Sequence, residues 1–325
     1  MPRCFIRTLT DGEDVDEIFL ASEKQLRTNR GGNLYLQVRL SDKSGSMVGM
    51  LWNANQTHYD GVDNGDFVRV RAKTQLYNGG LQLILKSVTK EDKSHVDPAD
   101  FQTLSVGALD QLMQQVSTTL RQVSNSHLRS LAECFLTDAT FMDQLQKAPA
   151  GVKNHHAYRG GLLQHIVSLL KVSEFVSGHY PTLDADLLTM GVFLHDIGKL
   201  RELTYEPDLG YSDAGQLLGH MVLAISMVDE KIRVAETLMG EPFPESLAIH
   251  LKHLIVSHHG QYEFGSPKLP MSREAMALHL IDNLDAKLHC LDQLISEDVN
   301  TESSWTVYHS NLGRKIYKGS PINSP

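Results

Sequence analysis

The chain has 325 residues, of which 41% are hydrophobic and 21% charged, and its net charge is −9. This length exceeds what one compact core usually organises, so we expect two domains. The composition is that of a soluble globular protein, and no apolar run approaches the roughly 20 residues that span a bilayer. The N-terminus lacks a secretory signal pattern. Cys4, Cys134 and Cys290 form no CxxC pair, which excludes a thiolate zinc site and favours a reducing, cytoplasmic compartment.

Charge and histidine are unevenly distributed along the chain. Residues 1–90 hold 12 Lys/Arg against 10 Asp/Glu, a balance of +2, which leaves −11 for the remainder. Any contact with nucleic acid is therefore local, and the N-terminal part is the better place for it. Twelve of the 16 histidines fall between His155 and His289, so imidazole chemistry is expected in the second part.

Residues 1–92 are predicted to form a small β-barrel. Five segments alternate apolar and polar residues between Gly, Asn and Asp turns: DEIFLASEKQLRT, NLYLQVRLSD, SMVGMLWN, DFVRVRAKTQLYN and GLQLILKSVTK. This alternation predicts five antiparallel strands, and Asn78-Gly79-Gly80 predicts a hairpin between the last two. Five such strands favour a closed barrel of OB type. The segment NGDFVRVRAKTQLYNGGLQLIL also resembles OB-fold nucleic-acid-binding domains.

The expected ligand of such a barrel is single-stranded nucleic acid lying across the middle strands. Its bases would stack on aromatic rings and its phosphates would meet Lys and Arg. An aromatic residue in a strand more often belongs to the core than to a binding surface, so each candidate has both interpretations. The candidates are Tyr35, Trp52, Tyr77, Arg39, Arg69, Arg71 and Lys73.

Residues 93–150 are interpreted as a linker and leading helices. The stretch EDKSHVDPADFQTLSV has no sustained period, and apolar residues then return at helical spacing from Val106 to Val123. From there to about residue 295 the pattern is helical, without a further convincing strand. The fold class is therefore multidomain α+β, with an N-terminal five-stranded barrel followed by an all-α domain over residues 151–300.

The helical domain presents histidine and aspartate within or beside apolar runs. In GVFLHDIGKL, an apolar helix is expected to show His195 and Asp196 in its last turn, to stop at Gly198 and to be followed by Lys199. Imidazole and carboxylate bind first-row metals, and facing helices can bring such ligands together. A carboxylate directly after a histidine can bridge two ions, a pair that activates water and holds a phosphate ester. Lys199 would then meet a non-bridging phosphate oxygen.

The order His, His-Asp, His, His, Asp resembles the HD superfamily of metal-dependent phosphohydrolases. Together with the OB segment, the motifs HHAYRGGLLQH, LHDIGK, LLGHMVLAISMVDEKI and LIVSHHGQYEFGSPKLPMSREAMALHLIDNLDAKL resemble the YhaM-type 3′→5′ exoribonucleases over about residues 12–318. This resemblance implies one metal held by His165, His195, Asp196 and Asp282. It implies a second metal held by His220, His258 and the bridging Asp196, with Lys199 as the phosphate-binding residue.

Several further residues are candidates with open roles. His259 is interpreted as a ligand, a proton donor or a substrate contact. Asp285 is either the ligand in place of Asp282 or a partner that orients a histidine, and His279 is expected to act from outside the ligand set. His156, Tyr158 and Arg159 are candidates for lining the substrate pocket.

The tail, residues 301–325, gathers basic and aromatic residues: Arg314, Lys315 and Lys318 near Trp305, Tyr308 and Tyr317. Such a segment either contacts RNA or packs on the helical domain as a strap.

The predicted function is a metal-dependent 3′→5′ exonuclease that hydrolyses single-stranded RNA, and as a second polymer single-stranded DNA, to nucleoside monophosphates. Two divalent ions are expected; the resemblance favours Mn²⁺, while iron, cobalt, nickel and zinc also accept such ligands. One alternative is an HD phosphohydrolase of a small signalling nucleotide, and another is a non-catalytic single-strand-binding protein. No membrane partner is expected, and homo-oligomerisation is left open.

Overall fold

The computed structural model describes residues 3–77, 80–101, 104–151, 158–205, 210–296, 298, 300 and 303–319. His156 and the Asn78-Gly79 part of the predicted hairpin turn lie outside these residues. The chain forms two compact units. The first contains residues 1–103 and the residues from Leu291 onward, and the second extends from Leu104 to Cys290. Within the described residues, no helix has the length and apolar character needed to cross a bilayer.

The first unit contains a closed five-stranded barrel of the predicted OB type. Its strands are β1 (Asp14–Thr28), β2 (Leu34–Asp42), β3 (Gly45–Trp52), β4 (Phe67–Tyr77) and β5 (Gly80–Lys90), and the short helix α1 (Gln56–Asp60) lies between β3 and β4. The order around the barrel is β1-β2-β3-β5-β4. The alternation seen in the sequence places one side of each strand inside, where these side chains are fully buried: Phe19, Leu36, Val38, Leu40, Val68, Val70 and Leu83.

The expectation of five antiparallel strands is wrong for one pairing. Strands β3 and β5 run parallel, while the other four pairings are antiparallel. Directions cannot alternate all the way around a closed ring with an odd number of strands, so closure requires a parallel pair. The register of β1 shifts between Ser22 and Gln25, where Glu23 has a φ of +50°. A bulge of this kind bends the strand and supports closure.

The second unit is helical, as predicted. Its helices are α2 (Val106–Arg121), α3 (Ser126–Leu136), α4 (Ala139–Lys147), α5 (Gly161–His179), α6 (Ala185–Leu194), α7 (Lys199–Glu202), α8 (Asp213–Met239), α9 (Glu245–Ser257) and α10 (Arg273–Ser296). Helix α10 continues a few residues into the first unit. Side-chain caps begin several helices, because Ser105, Asn125, Asp138, Asp184 and Ser212 accept hydrogen bonds from the free N–H groups of the first turn.

Two details differ from the sequence-based expectations. The helical unit contains a two-stranded ribbon, β6 (Leu203–Thr204) with β7 (Gly210–Tyr211), too short to produce an alternating pattern. Helix α6 ends at Leu194, before the His-Asp pair, and Gly198 is not a helix stop but has right-handed helical angles of φ −61° and ψ −20°. A side chain at Gly198 would overlap the carbonyl oxygen of His220, so this glycine permits close contact between α7 and α8.

Candidate metal centre

The predicted metal ligands meet in the helical unit, where they come from five separate segments of the chain. His165 lies in α5 and His220 in α8, whereas Asp282 lies in α10. His195 and Asp196 follow α6 directly, and His258 and His259 follow α9. The residues His165, His195, Asp196 and His258 are at most 3% exposed. The apolar runs noted in the sequence are therefore the helices that carry these polar groups into the interior.

Asp196 stands between two groups of ligand atoms. Its Oδ2 lies 3.4 Å from Nε2 of His195 and 4.0 Å from Nε2 of His165. Its Oδ1 lies 3.5 Å from Nε2 of His220 and 3.7 Å from Nε2 of His258. The two oxygens of one carboxylate thus face two different sets of imidazoles.

The first set is completed by Asp282, whose Oδ1 lies 3.2 Å from Nε2 of His165 and 4.0 Å from Nε2 of His195. The second set includes a residue whose role the sequence left open. The ligand atoms of His220, His258 and His259 lie within 4.8 Å of one another, as do those of His165, His195 and Asp282. His259 is therefore located among the imidazoles of the second set.

Backbone carbonyls orient three of these histidines. Nδ1 of His195 lies 2.8 Å from the oxygen of Val192, and Nδ1 of His258 lies 2.7 Å from the oxygen of Ile255. Nδ1 of His259 lies 2.8 Å from the oxygen of Phe264. A carbonyl oxygen only accepts hydrogen bonds, so Nδ1 must carry the hydrogen in each ring. The Nε2 lone pair then points into the cluster, as a metal ligand requires.

A carboxylate orients His165. Nδ1 of His165 lies 2.8 Å from Oδ2 of Asp285, and the Ser168 hydroxyl donates to the other oxygen of Asp285 over 2.5 Å. Of the two roles left open for Asp285, this geometry corresponds to the orienting partner. Ser168 was missed in the sequence, although its position three residues after His165 on one helix placed it on the same face.

Glu202 orients His220 and was also missed in the sequence. Its Oε1 accepts the backbone N–H of His220 over 3.0 Å and lies 3.3 Å from Nδ1 of the same residue. The N–H is available because Gly219, with a φ of +73°, interrupts α8 immediately before His220. Glu202 is 9% exposed. An acid six residues after Asp196 was the signal that the sequence offered for it.

His279 supports the turn that carries His258 and His259. Its Nδ1 donates to the backbone oxygen of His258 over 2.8 Å. The ring packs against Gly260, where a side chain would overlap the imidazole and where φ is +78°. His279 therefore acts from outside the ligand set, which corresponds to the role expected from the sequence.

Charge interactions hold the cluster in a ligand-competent state. Burial would raise the pKa of Asp196, but the charges of Lys199 and His195 hold it well below its usual range. Burial would lower the pKa of Lys199, yet Asp196, at 2.6 Å from Nζ, raises it. Burial keeps the pKa of His258 well below its usual range and also lowers that of His259. The carboxylate and the ammonium are thus charged, and these two imidazoles are neutral.

His165 behaves differently because it lies between two carboxylates. Burial would lower its pKa, but hydrogen bonds and charge from Asp282 and Asp285 raise it to about 9. The hydrogen bond with His165 and the charge of His195 hold the pKa of Asp282 far below its usual range, against the effect of its own burial. The site therefore attracts positive charge at Nε2 of His165, where a bound cation would replace the proton.

Two properties of the cluster suit divalent metal ions. Its donors are imidazole nitrogens and carboxylate oxygens, and several of these buried atoms have no hydrogen-bond partner among the described residues. Within the described part of the chain, the buried atoms without a hydrogen-bond partner include Nε2 of His195, Oδ1 of Asp196 and Nε2 of His220. Leaving buried polar atoms unpaired costs free energy, on the order of 1–3 kcal/mol for each group. All three atoms belong to the converging ligand sets, so bound cations would satisfy them.

Two described candidates for the substrate pocket lie before α5. The Tyr158 hydroxyl donates to Oε1 of Gln164 over 2.5 Å. Burial, together with the charge of Asp285, raises the pKa of Tyr158 to about 12, so the hydroxyl keeps its proton. Arg159 is exposed. His156 lies outside the described residues.

The barrel candidates form separate groups on its outer surface. Tyr35 on β2 pairs with Trp52 on β3, with ring centroids 5.2 Å apart, and Trp52 is 46% exposed. On β4, Arg69 and Arg71 donate to the two oxygens of Asp16 over 2.7 and 3.1 Å.

The remaining barrel candidates are also accessible. Tyr77 and Lys73 are exposed, and Arg39 lies 3.3 Å from Glu23. Of the three aromatic candidates, Trp52 and Tyr77 are exposed and Tyr35 is half-buried.

Comparison with known protein families gives two matches. Residues 22–91 match the OB-fold nucleic acid binding domain, and residues 162–287 match the HD domain. The expected fold class, an OB-type barrel followed by a helical HD-superfamily domain, is therefore confirmed by both the matches and the structure.

Similar curated proteins cover most of the chain. It is 35% identical to the 3′-5′ exoribonuclease YhaM of Bacillus subtilis (strain 168) over 287 residues, which cover 87% of this chain and 88% of that one. It is 36% identical, with the same coverage, to the protein of that name from Bacillus velezensis. With the one from Shouchella clausii it shares 34% identity over 319 residues, covering 97% of this chain and 96% of that one.

Proposed function

Because this chain belongs to the family of the YhaM 3′-5′ exoribonucleases, we propose that it hydrolyses single-stranded RNA from the 3′ end and releases nucleoside monophosphates. The observation that carries the proposal is the position of Asp196, whose two carboxylate oxygens face two sets of imidazole ligands. A centre with two cations is suited to phosphodiester hydrolysis, which needs both an activated water and neutralisation of the phosphate charge.

The proposed ligands of one ion are His165, His195, Asp196 and Asp282. Those of the second ion are Asp196, His220 and His258, and we add His259 because its ligand atom lies with those of His220 and His258. When bound, the two ions would supply the activated water and hold the scissile phosphate. Mn²⁺ is our first candidate, and iron, cobalt, nickel and zinc are the alternatives for this mixed donor set.

The other residues of the site orient the proposed ligands or provide positive charge for the phosphate. Asp285 and Glu202 keep His165 and His220 turned toward Asp196. Lys199 is charged and only 16% exposed, with Nζ 2.6 Å from Asp196. An ammonium has three N–H donors, so Lys199 can keep its contact with Asp196 and still donate to a non-bridging phosphate oxygen. Tyr158 and Arg159 are proposed to contact the substrate near the start of α5.

The barrel is proposed to hold the strand. Tyr35 and Trp52 offer paired rings for base stacking, and Arg69, Arg71 and Tyr77 offer further contacts. Stacking on aromatic rings tolerates any base, which suits an enzyme that shortens RNA regardless of sequence. The same chemistry accepts single-stranded DNA, which we include as a second substrate.

The proposal can be tested with 5′-labelled single-stranded RNA and DNA. Purified protein is stripped of metal, resupplied with Mn²⁺ and compared with Asp196→Asn and with Asp292→Asn, which changes an exposed acid of α10. We expect a ladder that shortens from the 3′ end with wild type and Asp292→Asn. Asp196→Asn and chelated wild type should leave RNA intact, and elemental analysis should find two ions per wild-type chain.

RNA left intact by metal-loaded wild type would contradict the proposed function. If the same sample hydrolysed a small nucleotide, the signalling-nucleotide alternative would replace it. A single bound ion in a fully active enzyme would contradict the two-ion centre alone.

A further inference from the structure

The C-terminal residues 303–319 form a hairpin, called the C-terminal hairpin below. Bridges pair Trp305 with Tyr317 and His309 with Arg314 in antiparallel orientation. The backbone N–H of Thr306 donates to the oxygen of Ile316 over 2.9 Å. The turn contains Gly313, with a φ of +64°, a conformation that suits glycine. The segment is therefore an ordered element with two distinct faces.

One face of the C-terminal hairpin is anchored. Thr306 is fully buried, and its hydroxyl oxygen accepts the backbone N–H of Ile316 over 2.9 Å. The ammonium of Lys318 lies 2.6 Å from the carboxylate of Asp298, whose side chain has no exposure. The first of these contacts lies within the hairpin and the second joins it to Asp298 outside it, and neither uses an aromatic side chain.

The other face presents aromatic rings to solvent. Trp305 and Tyr317 lie side by side, with ring centroids 5.1 Å apart, and are 49% and 55% exposed. Tyr308 is 61% exposed. Rings left this accessible forgo the stabilisation that burial would provide. A paired arrangement of this kind is what a base-stacking platform needs.

The charge of the C-terminal hairpin is opposite to that of the whole protein. Residues 303–319 contain Arg314, Lys315 and Lys318 and no Asp or Glu, although the chain carries a net charge of −9. Asp298 pairs with Lys318, while Arg314 and Lys315 are exposed. Exposed cations and exposed aromatic rings in one hairpin complement a single-stranded polyanion, whose phosphates and bases need both.

We propose that the C-terminal hairpin is a binding site for single-stranded RNA. Bases stack on Trp305 and Tyr317, and phosphates contact Arg314 and Lys315. The site is additional to the aromatic pair of the barrel, and it rests on the proposed function because RNA is taken as the substrate. It gives the enzyme a second contact with the strand that the catalytic centre shortens.

The two tryptophans of the chain, Trp52 and Trp305, allow a direct test. Trp52→Phe leaves Trp305 as the only tryptophan, and Trp305→Phe leaves Trp52. Each protein is titrated with an oligouridylate in the presence of chelator, which prevents hydrolysis. We expect quenching of Trp305 emission in the Trp52→Phe protein. Unchanged emission at RNA concentrations that saturate binding, measured by anisotropy of labelled RNA, would overturn the proposal.

A second measurement uses the double variant Trp305→Ala, Tyr317→Ala. We expect its affinity for the oligouridylate to fall roughly tenfold, because stacking contributes substantially for each base. Hydrolysis of bis(p-nitrophenyl) phosphate, which reports on the metal centre alone, should be unchanged. The matched control is Tyr180→Ala, since Tyr180 is 56% exposed and lies in the helical unit.

The outcomes separate this proposal from the proposed function. Wild type that leaves RNA intact contradicts the proposed function. Wild type that degrades RNA, with a double variant that binds RNA as tightly as wild type, contradicts the hairpin site alone. A double variant whose RNA affinity is unchanged while light scattering shows a smaller assembly would assign the hairpin to self-association instead.

Discussion

At the scale of single residues, the centre depends on how each imidazole is turned. Five histidines place Nδ1 against an oxygen acceptor, two of these being the carboxylates Asp285 and Glu202. Because Nδ1 is engaged on the outside of the cluster, Nε2 of four of these rings is directed toward Asp196 or Asp282, and the ligand atom of His259 lies with those of His220 and His258. The oxygen acceptors therefore decide the geometry of the ligands before any ion binds.

Loss of the Glu202 carboxylate should weaken binding of the second ion without affecting binding of the first. Glu202→Ala removes the acceptor for both the backbone N–H and Nδ1 of His220. We expect affinity for the second ion to fall about 10- to 100-fold, as for other outer-shell partners, with the first ion retained. Glu202→Gln, which keeps an acceptor oxygen, should lose less. Calorimetric Mn²⁺ titration measures both.

The control for this prediction is Glu230→Ala, because Glu230 is a partly exposed acid paired with Arg201. Its metal affinity should equal that of wild type. If Glu202→Ala and Glu230→Ala bound two ions equally well, Glu202 would have no orienting role.

At the scale of elements, close backbone contact brings the ligand-bearing segments together. Gly198 lies against the backbone of α8 at His220 and Ala224, and Gly215 lies against the backbone of Glu202. A side chain larger than hydrogen at either position would separate α7 from α8. Since α7 begins three residues after Asp196 and α8 carries His220, this contact sets the distance between the Asp196 carboxylate and His220.

Gly198→Ala tests that contact. Because the added methyl group would overlap the carbonyl oxygen of His220, we expect unfolding free energy to fall by about 1–3 kcal/mol, as for other overpacked sites. RNA hydrolysis should fall further than stability explains, since His220 would be displaced. Urea denaturation and single-turnover kinetics measure the two effects.

Gly178→Ala is the matched control, because Gly178 lies in α5 with open space around it. It should leave activity unchanged and stabilise the protein by up to about 1 kcal/mol through helix propensity. Equal effects of the two substitutions would show that the α7–α8 contact is not a constraint.

At the scale of the whole molecule, the positive charge is concentrated in two segments of a chain that is negative overall. The protein carries −9 overall, yet residues 1–90 carry +2 and residues 303–319 hold three basic residues without an acid. RNA binding must therefore depend on a few local contacts rather than on a general field.

RNA affinity should consequently depend weakly on salt. Each phosphate contact contributes a slope of about −0.7 in log K against log salt for single strands. Arg71→Ala should reduce the magnitude of the slope by about that amount. The control is Arg121→Ala, since Arg121 is also an exposed arginine paired with a carboxylate, here Glu133 in the helical unit. A slope that Arg71→Ala leaves unchanged would remove Arg71 from the binding surface.

The two units should also differ in their response to metal removal. Both tryptophans lie in the first unit, whereas the buried ligand cluster lies in the helical unit. Chelator should lower the midpoint of the thermal transition seen by far-ultraviolet circular dichroism, because ions at 100 times Kd stabilise by about 2.7 kcal/mol. The transition seen by tryptophan fluorescence should stay in place. Asp196→Asn should show no chelator effect, and equal shifts of both signals would contradict this prediction.

The sequence alone predicted the five strands, the helical unit and the fold class, because periodicity and turn residues are local properties. It also identified the ligand candidates, since His-Asp beside apolar helices is a local pattern. It missed the parallel pairing of β3 and β5, which follows from closing a ring of five strands. It also missed Glu202 and Ser168. Their hydrogen-bond partners, His220 and Asp285, lie on other helices and come close only in the folded protein.

What the sequence determined by itself is which residues are candidates for binding metal or RNA and which belong to the core, because that depends on chemical type and on spacing along one element. Tertiary structure decided how they divide: which oxygen of Asp196 faces which imidazoles, that His259 lies with the second set, and that Asp285 orients His165. Apart from the chain neighbours His195–Asp196 and His258–His259, these are distances between residues 24 to 120 positions apart, such as His165 and Asp285. No local pattern encodes them, because they arise only when the helices pack.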